Sequence, residues 1–323
     1  MLDLTNAAAS QPSRDRAAQR RDPQAVLAGE NFPVAVRILP ATTRRHLLAL
    51  YTYARYVDDL GDEPAVAGPG DRLGGPAVAG PGGAPVADGS GTDADAADRL
   101  STLRWFAGEV RDLYDGRPPR HPVLVRLAPT VAACRLPADP LLRLIAANER
   151  DQVKSRYADH RELVDYCHLS ADPVGELVLH VFGAHSPERV ALSDRICTAL
   201  QIVEHLQDVA EDRRRGRIYL PADELAAHGV AERDLDAPRA GGALREVIRV
   251  QAERAAAALD AGAPLVGQLR GWARVAVAGY VAGGRAALTA LARSGYDPLP
   301  GAPRPARRDV LGHWLKLMWV RAG

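Results

Sequence analysis

The helical spacing of the apolar residues constrains the fold of this chain more than any other feature of the sequence. From residue 42 onward apolar side chains recur every three or four positions, as at Leu47, Tyr51 and Ala54, which is typical of a helix with one buried face. Alternating β-branched runs that would form strands are absent, and the remaining segments are rich in Ala, Leu and Arg, which favour helices. The sequence therefore predicts an all-α single domain with about eight to ten helices.

Two segments depart from this pattern. Residues 1–24 are polar and Arg-rich, so we expect a disordered leader. Residues 64–98 are dense in Gly, Pro and Ala and contain PAVAGPG twice, which predicts a flexible insert between two helices. The helical domain is expected over 25–300, followed by a C-terminal tail at 301–323.

The tail contains an amphipathic stretch, HWLKLMW, and its apolar residues are Trp314, Leu317, Met318 and Trp319. Two interpretations remain open. The stretch is either a terminal helix that packs on the core or a helix that makes a peripheral contact with a membrane surface.

Composition narrows the function classes. The formal net charge is +1, which argues against nucleic acid as a partner. Because 39 of the 41 basic residues are arginines, a bound anion should be held by arginine. The three cysteines form no CxxC pair, there is no signal-peptide core, and no run reaches the length of a membrane span. We therefore expect a cytoplasmic protein with reduced thiols.

The first predicted helix carries a polar stripe formed by Tyr51, Arg55, Asp58 and Asp62. At 3.6 residues per turn these four side chains fall within about 60° of one another. Two aspartates on adjacent turns repel each other and destabilise a bare helix. A divalent cation between them removes that repulsion, and ligands that are all oxygens suit Mg²⁺.

The same aspartate spacing recurs about 150 residues later, at Asp208 and Asp212. Gln201 shares their stripe, Glu204 lies on its flank, and an arginine run that includes Arg217 follows. Either pair alone could be an incidental solvated face. Two pairs facing each other across a bundle would hold Mg²⁺ ions that, with arginine, draw a diphosphate away from carbon.

Loss of diphosphate leaves a carbocation, which needs an apolar cavity and aromatic faces. Each aromatic candidate is also typical of a plain core residue. The candidates are Phe32, Tyr51, Tyr166, Phe182, Tyr219 and Tyr280.

These motifs resemble those of the squalene/phytoene synthases over roughly residues 29–300, the insert excepted. DVAEDRRRGRIYLP at 208–221 resembles the second aspartate-rich signature of that family, and RYVDDLGD at 55–62 resembles the first. YCHLSADPVG at 166–175 is similar to the segment that lines the prenyl-chain tunnel. Within the family, this segment and ENFP at 30–33 are most similar to the hydroxysqualene-forming enzymes of bacterial hopanoid pathways.

The resemblance implies a single-domain isoprenoid-synthase bundle with a central active-site cavity, and roles for individual residues. The implied Mg²⁺ ligands are Asp58, Asp62, Asp208, Asp212 and Glu204. Residues implied to act on the reacting carbons or the leaving group are Arg55, Tyr51, Tyr166, Tyr219 and Tyr280. Residues implied to bind substrate are Phe32, Arg55, Gln201, Arg217, Val174 and Gly175.

Some positions depart from the family pattern. Glu30 and Asn31 stand where many relatives carry lysine or serine, and Glu204 stands where relatives often have asparagine. A carboxylate at 204 still suits Mg²⁺ but adds charge. A late arginine of the family corresponds to either Arg304 or Arg307.

The resemblance implies Mg²⁺-dependent conversion of presqualene diphosphate and water to hydroxysqualene and diphosphate, next to partner enzymes of the same pathway. One alternative is head-to-head condensation of farnesyl or geranylgeranyl diphosphate to presqualene diphosphate, squalene or phytoene. Another is a non-catalytic subunit that binds prenyl diphosphate. A head-to-tail elongating enzyme would leave the RGRIYLP segment unexplained. No NADPH-binding pattern is apparent, which favours a product that needs no reduction.

Overall fold

The structure is a computed structural model that describes residues 39–62 and 91–319, with side chains from residue 95 in the second range. Within these ranges the regular structure is helical, apart from one β-bridge between Arg156 and Ile218. The helices are α1 (Ala41–Asp62), α2 (Gly91–Tyr114), α3 (Pro122–Cys134), α4 (Ala138–Asp151), α5 (His160–Ser170), α6 (Asp172–Val181), α7 (Pro187–Gln207), α8 (Val209–Arg214), α9 (Ala222–Ala227), α10 (Gly242–Gly262), α11 (Leu265–Gln268), α12 (Gly271–Arg293) and α13 (Arg307–Trp319), with a 3₁₀ turn at Glu232–Asp236.

The all-α prediction is confirmed, and ten of the helices in the described ranges have ten or more residues. The insert predicted at 64–98 extends too far, because α2 begins at Gly91 and not near residue 99. The physical reason lies in the local sequence TDADAAD, where alanines favour helix and aspartates interact well with a helix N-terminus. The leader at 1–24, Phe32 and residues 63–90 lie outside the described residues.

Helix α7 lies at the centre of the bundle. It packs against α5, α6, α10 and α12, and its buried residues include Ile196, Ala199 and Ile202. On one side α1 to α4 form a cluster around Tyr53 and Phe106. On the other side α10 to α13 pack around Leu259 and Val281. The second aspartate motif therefore begins directly after a helix that is packed on several sides.

Close packing of α7 against α10 depends on Gly262. A Cβ atom there would lie 2.6 Å from Ile196 Cγ1 and 2.7 Å from the Leu192 carbonyl oxygen. Backbone atoms of a packed helix cannot move aside, so a side chain at this position forces the two helices apart.

We predict that Gly262→Ala lowers the stability by about 2–3 kcal/mol, in the range of overpacked cores. The matched control is Gly283→Ala on α12, where a Cβ meets no atom within 4 Å. That variant should gain up to about 1 kcal/mol, because alanine replaces glycine within a helix. Urea unfolding of both variants measures the difference, and equal midpoints would contradict the packing argument.

Helix α12 is long and apolar enough to cross a membrane, with a mean hydropathy of 1.4 over its most apolar window, which the sequence analysis did not anticipate. In the structure 56% of that window is buried, and α12 packs against α7, α10 and α13. Its apolar composition is that of a core helix, because several of its faces pack against other helices.

The C-terminal helix α13 packs along α12. Trp314 donates its indole N–H to the Val275 carbonyl at 3.3 Å, and Arg274 donates to the Met318 carbonyl at 3.0 Å. Leu317 is buried, whereas Trp319 is 85% exposed. One face of this amphipathic helix therefore belongs to the core, and another faces solvent.

Candidate active site

The fold brings the two aspartate motifs together. Arg217, which follows the second motif, donates a hydrogen bond from Nη2 to Asp62 Oδ1 of the first motif at 3.0 Å. These residues are 155 positions apart in the chain. The prediction that both motifs face one site is thus supported by a direct contact between them.

The second motif lies on two short segments and not on one continuous helix. Helix α7 ends at Gln207, and Asp208 has φ −103° and ψ 15° between α7 and α8. Its carbonyl accepts the N–H groups of Glu211 and Asp212, both at 2.8 Å. The regular stripe expected from Gln201 to Asp212 is therefore interrupted at Asp208, although the aspartates remain one turn apart.

The segment after α8 is held by backbone pairing with the segment that precedes α5. Gly216 adopts φ +79°, which suits glycine, and reverses the chain. The Ile218 N–H then donates to the Ser155 carbonyl and the Ala222 N–H to the Tyr157 carbonyl, each at 2.9 Å. These bonds fix Arg217 and Tyr219 relative to the helices.

Asp58 is exposed to solvent near the end of α1. Desolvation, followed by the charge of Asp62, nevertheless raises its pKa to about 6. Asn148 on α4 donates to Asp58 Oδ1 at 3.2 Å and opposes that shift. Gly61 leaves room for Asn148, because a Cβ at 61 would lie 2.3 Å from Asn148 Oδ1.

Three further carboxylates lie around the arginine. Burial raises the pKa of Asp151 on α4, and burial followed by the charge of Asp212 raises that of Asp208. The Asp212 Oδ2 atom is buried without a hydrogen-bond donor, and so is Asp151 Oδ1. Buried carboxylate oxygens without donors are costly unless a cation binds them.

This donor set fits Mg²⁺. The carboxylates of Asp58, Asp62, Asp151, Asp208 and Asp212 supply hard oxygen ligands. Asp151 and Asp212 each have an oxygen that the protein leaves without a hydrogen-bond donor. Glu204 is exposed on α7, one turn before Asp208. The residues that could hold the ions are Asp58, Asp62, Asp208, Asp212, Glu204 and, beyond the sequence prediction, Asp151.

Stacked rings form one wall of the site. Tyr219 stacks on His205 with ring centroids 3.6 Å apart, and lies 5.5 Å from Tyr157 and 5.6 Å from Tyr166. The Tyr166 hydroxyl donates to Asp151 Oδ2 at 2.7 Å. Burial, then Asp151, raises the pKa of Tyr166 and Tyr219, so both phenols stay neutral.

Gln201 contributes to this wall through His205. Its Nε2 lies 3.0 Å from His205 Nε2, and His205 Nδ1 lies 3.6 Å from Asp212 Oδ2. A small open cleft adjoins these groups, lined by His205, Asp212, Arg217, Tyr219 and four apolar neighbours.

Tyr280 on α12 and Cys197 on α7 lie away from the aspartate motifs. Both side chains are partly buried. Burial raises the pKa of Tyr280 and raises that of Cys197 to about 12, so the phenol and the thiol both stay neutral.

The remaining predicted residues occupy different positions. Arg55 pairs with Asp59 at 3.1 Å, and its charge lowers the pKa of the nearby Asp58. Val174 is exposed, whereas Gly175 lies in the contact between α6 and α7, where a Cβ would lie 2.3 Å from Ser193 Oγ. Tyr51 is half-buried on α1, one turn before Arg55.

The arginine run divides between structural and site roles. Arg213 binds Asp236 through two bonds of 2.9 Å, and Arg215 binds Glu211 at 2.8 Å. Arg217 is the arginine of this run that contacts Asp62.

Of the two candidates for the late arginine of the family, Arg304 lies beside the end of α7. Gln207 at that end donates a hydrogen bond to the carbonyl of Pro303, the residue before Arg304.

Sequence reasoning missed Asn148, Asp151, Tyr157 and His205. His205 offered a weak signal, since it lies between Glu204 and Asp208. Asn148, Asp151 and Tyr157 offered none, because their roles depend on contacts between distant segments.

Comparison with known proteins identifies the family. The model of the squalene/phytoene synthase family matches residues 26–311. The chain belongs to the squalene/phytoene synthase family. It is therefore an enzyme of the class that processes prenyl diphosphates, with the all-helical isoprenoid-synthase fold.

Relatives within the squalene/phytoene synthase family differ in their products. The chain is 32% identical to a hydroxysqualene synthase of Rhodopseudomonas palustris over 75% of this chain and 72% of that protein. It is 28% identical to a presqualene diphosphate synthase of the same organism over 72% and 73%. The crystal structure of squalene synthase HpnC from Alicyclobacillus acidocaldarius matches with a TM-score of 0.71 and 36% identity, over 88% and 95% of the two chains.

Proposed function

We propose that this enzyme converts presqualene diphosphate and water to hydroxysqualene and diphosphate. The observation that carries the proposal is the bond from Arg217 to Asp62, because it joins two carboxylate pairs and an arginine in one place. That combination suits ionisation of a diphosphate ester. The similarity to a hydroxysqualene synthase favours water as the group that ends the reaction.

We assign the metal ligands to Asp58 and Asp62 on one side and to Asp208, Asp212 and Glu204 on the other. Bound Mg²⁺ would neutralise the diphosphate and make it a better leaving group. Arg217 donates to the diphosphate oxygens in the same region, while Asn148 orients Asp58. Arg55, one turn before Asp58, and Arg304, beside the end of α7, are further candidates for contact with the diphosphate.

Ionisation breaks one carbon–oxygen bond, and the electron pair leaves with the diphosphate. The faces of Tyr219, Tyr166 and Tyr157 offer negative quadrupole density to the cation that remains. After rearrangement, a water oxygen donates its electron pair to the cationic carbon. The new carbon–oxygen bond forms as the water loses a proton to diphosphate or solvent, so no reductant is consumed.

We further propose that the group that holds the attacking water lies in the segment 166–175, where Ser170 and Asp172 are candidates. Both oxygens of Asp172 are occupied, one by Thr198 at 2.9 Å and one by His168. Ser170 Oγ is buried and has no partner, so Ser170 is the residue with hydrogen-bonding capacity left for a water molecule.

The decisive experiment supplies purified enzyme with Mg²⁺ and presqualene diphosphate in ¹⁸O-labelled water. We expect a C30 alcohol that carries one labelled oxygen, detected by mass spectrometry. Farnesyl diphosphate is supplied in parallel. Formation of presqualene diphosphate or a hydrocarbon from farnesyl diphosphate would favour head-to-head condensation, and an oxygen-free C30 product without reductant would refute water capture.

A membrane-facing surface accompanies this function. Half of the eight large apolar residues that are exposed in the described ranges lie on α13 or at the start of α12: Trp272, Leu311, Leu315 and Trp319. Exposed basic residues lie on the same segments: Arg270, Arg307, Arg308 and Lys316. Tryptophan and leucine beside arginine and lysine are typical of a helix that lies on an anionic lipid surface.

We predict that the full chain sediments with anionic phospholipid vesicles and less with neutral ones. Leu315→Ser with Trp319→Ser should lower the partition coefficient at least about tenfold, because both apolar anchors are lost. The matched control is Trp105→Ser, which removes another exposed tryptophan on α2. Equal sedimentation of all variants would contradict the lipid contact. Concentration-dependent self-association that the double variant abolishes would show that this surface binds a second copy of the chain instead.

A further inference from the structure

A second cluster of metal-binding side chains lies away from the aspartate motifs, in the second half of α6 and the turn that follows. Ligand atoms of Glu176, His180 and His185 all lie within 4.8 Å of one another. The proposed reaction uses none of these three residues.

Local backbone geometry builds this cluster. Glu176 and His180 lie one turn apart on α6, so their side chains share a face. Gly183 adopts φ +62° and the Ala184 N–H donates to the Leu179 carbonyl at 2.9 Å, which turns the chain back. His185 therefore lies over His180, with ring centroids 4.1 Å apart and an angle of 26° between the rings.

The His180 ring has a nitrogen that the protein leaves without a partner. Its Nε2 atom is buried and makes no hydrogen bond. A buried polar atom without a partner is costly, and coordination of a metal ion by the imidazole nitrogen removes that cost.

Glu176 has a hydrogen-bond partner outside the cluster. Arg143 on α4 donates to Glu176 Oε2 at 2.5 Å, which leaves Oε1 available as a ligand. Metal-ligating carboxylates are commonly hydrogen-bonded in this way. His185 is exposed, so its ring is free to turn. A rotation of that ring would shorten the distances between ligand atoms to the roughly 3.3 Å of a tetrahedral site.

We propose that Glu176, His180 and His185 bind a Zn²⁺ ion. Two imidazoles and one carboxylate are ligands that zinc prefers, with water as the fourth ligand. The ion would tie the end of α6 to the turn before α7, and through Arg143 to α4. Its role would be to stabilise the fold, separate from the Mg²⁺ chemistry of the aspartates.

The test is calorimetric titration of the chelator-treated full chain with Zn²⁺ in excess Mg²⁺, which keeps the aspartate motifs occupied. We expect one equivalent of zinc to bind and the melting temperature to rise. His185→Gln and His180→Gln should each weaken zinc binding by at least about a hundredfold, and Arg143→Met by about tenfold. The control His313→Gln, on α13, should bind zinc like the unaltered chain.

His185 is exposed, so His185→Gln should fold even if His180→Gln does not. Tetrahedral Co²⁺, added in place of zinc, gives a visible absorption band that His185→Gln should remove. The proposal is overturned if the unaltered chain binds no zinc, or if His185→Gln binds it with unchanged affinity.

Discussion

Asp58→Asn and Asp212→Asn are each expected to lower turnover of the prenyl diphosphate by about a thousandfold, the scale of losing a principal electrostatic contact to a leaving group. Each substitution removes an oxygen ligand while it keeps the size of the side chain. Since Asp58 lies beside Asp62, and Asp212 beside Asp208, each also removes like-charge repulsion. The melting temperature without Mg²⁺ should therefore stay the same or rise.

The matched control is Glu211→Gln, which removes an exposed carboxylate next to Asp212 that pairs with Arg215. It should change turnover by no more than a few-fold. Product formation under saturating Mg²⁺ and thermal unfolding without Mg²⁺ are measured for all three variants. Normal turnover in either aspartate variant would exclude the proposed metal site, and a lower melting temperature in both would indicate a structural role instead.

Arg217→Met is expected to lower kcat/KM by about a hundredfold to a thousandfold, equivalent to about 3–4 kcal/mol of transition-state stabilisation. The guanidinium is bonded to Asp62. Burial lowers its pKa, but the nearby carboxylates of Asp151 and Asp62 outweigh that effect and raise it. Arg217→Lys should recover part of the activity, because lysine keeps the charge but not the planar fork of donors.

Two roles of this arginine can be separated, namely holding Asp62 in place and binding diphosphate. The second measurement is the Mg²⁺ dependence of the single variant, because Asp62→Asn would itself remove a proposed metal ligand. If Arg217 acts only by holding Asp62 in place, the activity of Arg217→Met should approach that of the unaltered enzyme at saturating Mg²⁺. If Arg217 binds diphosphate, the loss of kcat/KM should persist at saturating Mg²⁺. The control Arg215→Met removes an exposed arginine two positions earlier and should leave kcat/KM within a few-fold of the unaltered enzyme.

The helical content and the two aspartate pairs could be predicted from the sequence because both depend on local spacing. Apolar residues at helical intervals place one face of each helix in the core. Asp58 and Asp62 are neighbours on α1 for the same reason. The boundary of α2 was misplaced because Gly and Pro dominate the segment before it, and the aspartate–alanine stretch at its start is a weaker signal.

Local spacing could not reveal the break at Asp208. The stripe from Gln201 to Asp212 assumes one straight helix, and the chain leaves helical geometry at Asp208. The pairing of Ile218 with Ser155 holds the segment after the break in place. That pairing joins parts of the chain far apart in sequence, so no periodicity encodes it.

The sequence by itself determined that the chain is helical, that it carries two aspartate pairs, and that arginine follows the second. The tertiary structure decided which side chains surround them. Asn148 reaches Asp58 because Gly61 leaves space, and Tyr157 and His205 stack on Tyr219 because separate segments meet there. Helix-forming spacing is a property of neighbours along the chain, whereas the site is formed by burial and hydrogen bonding between segments that meet only when the bundle is packed.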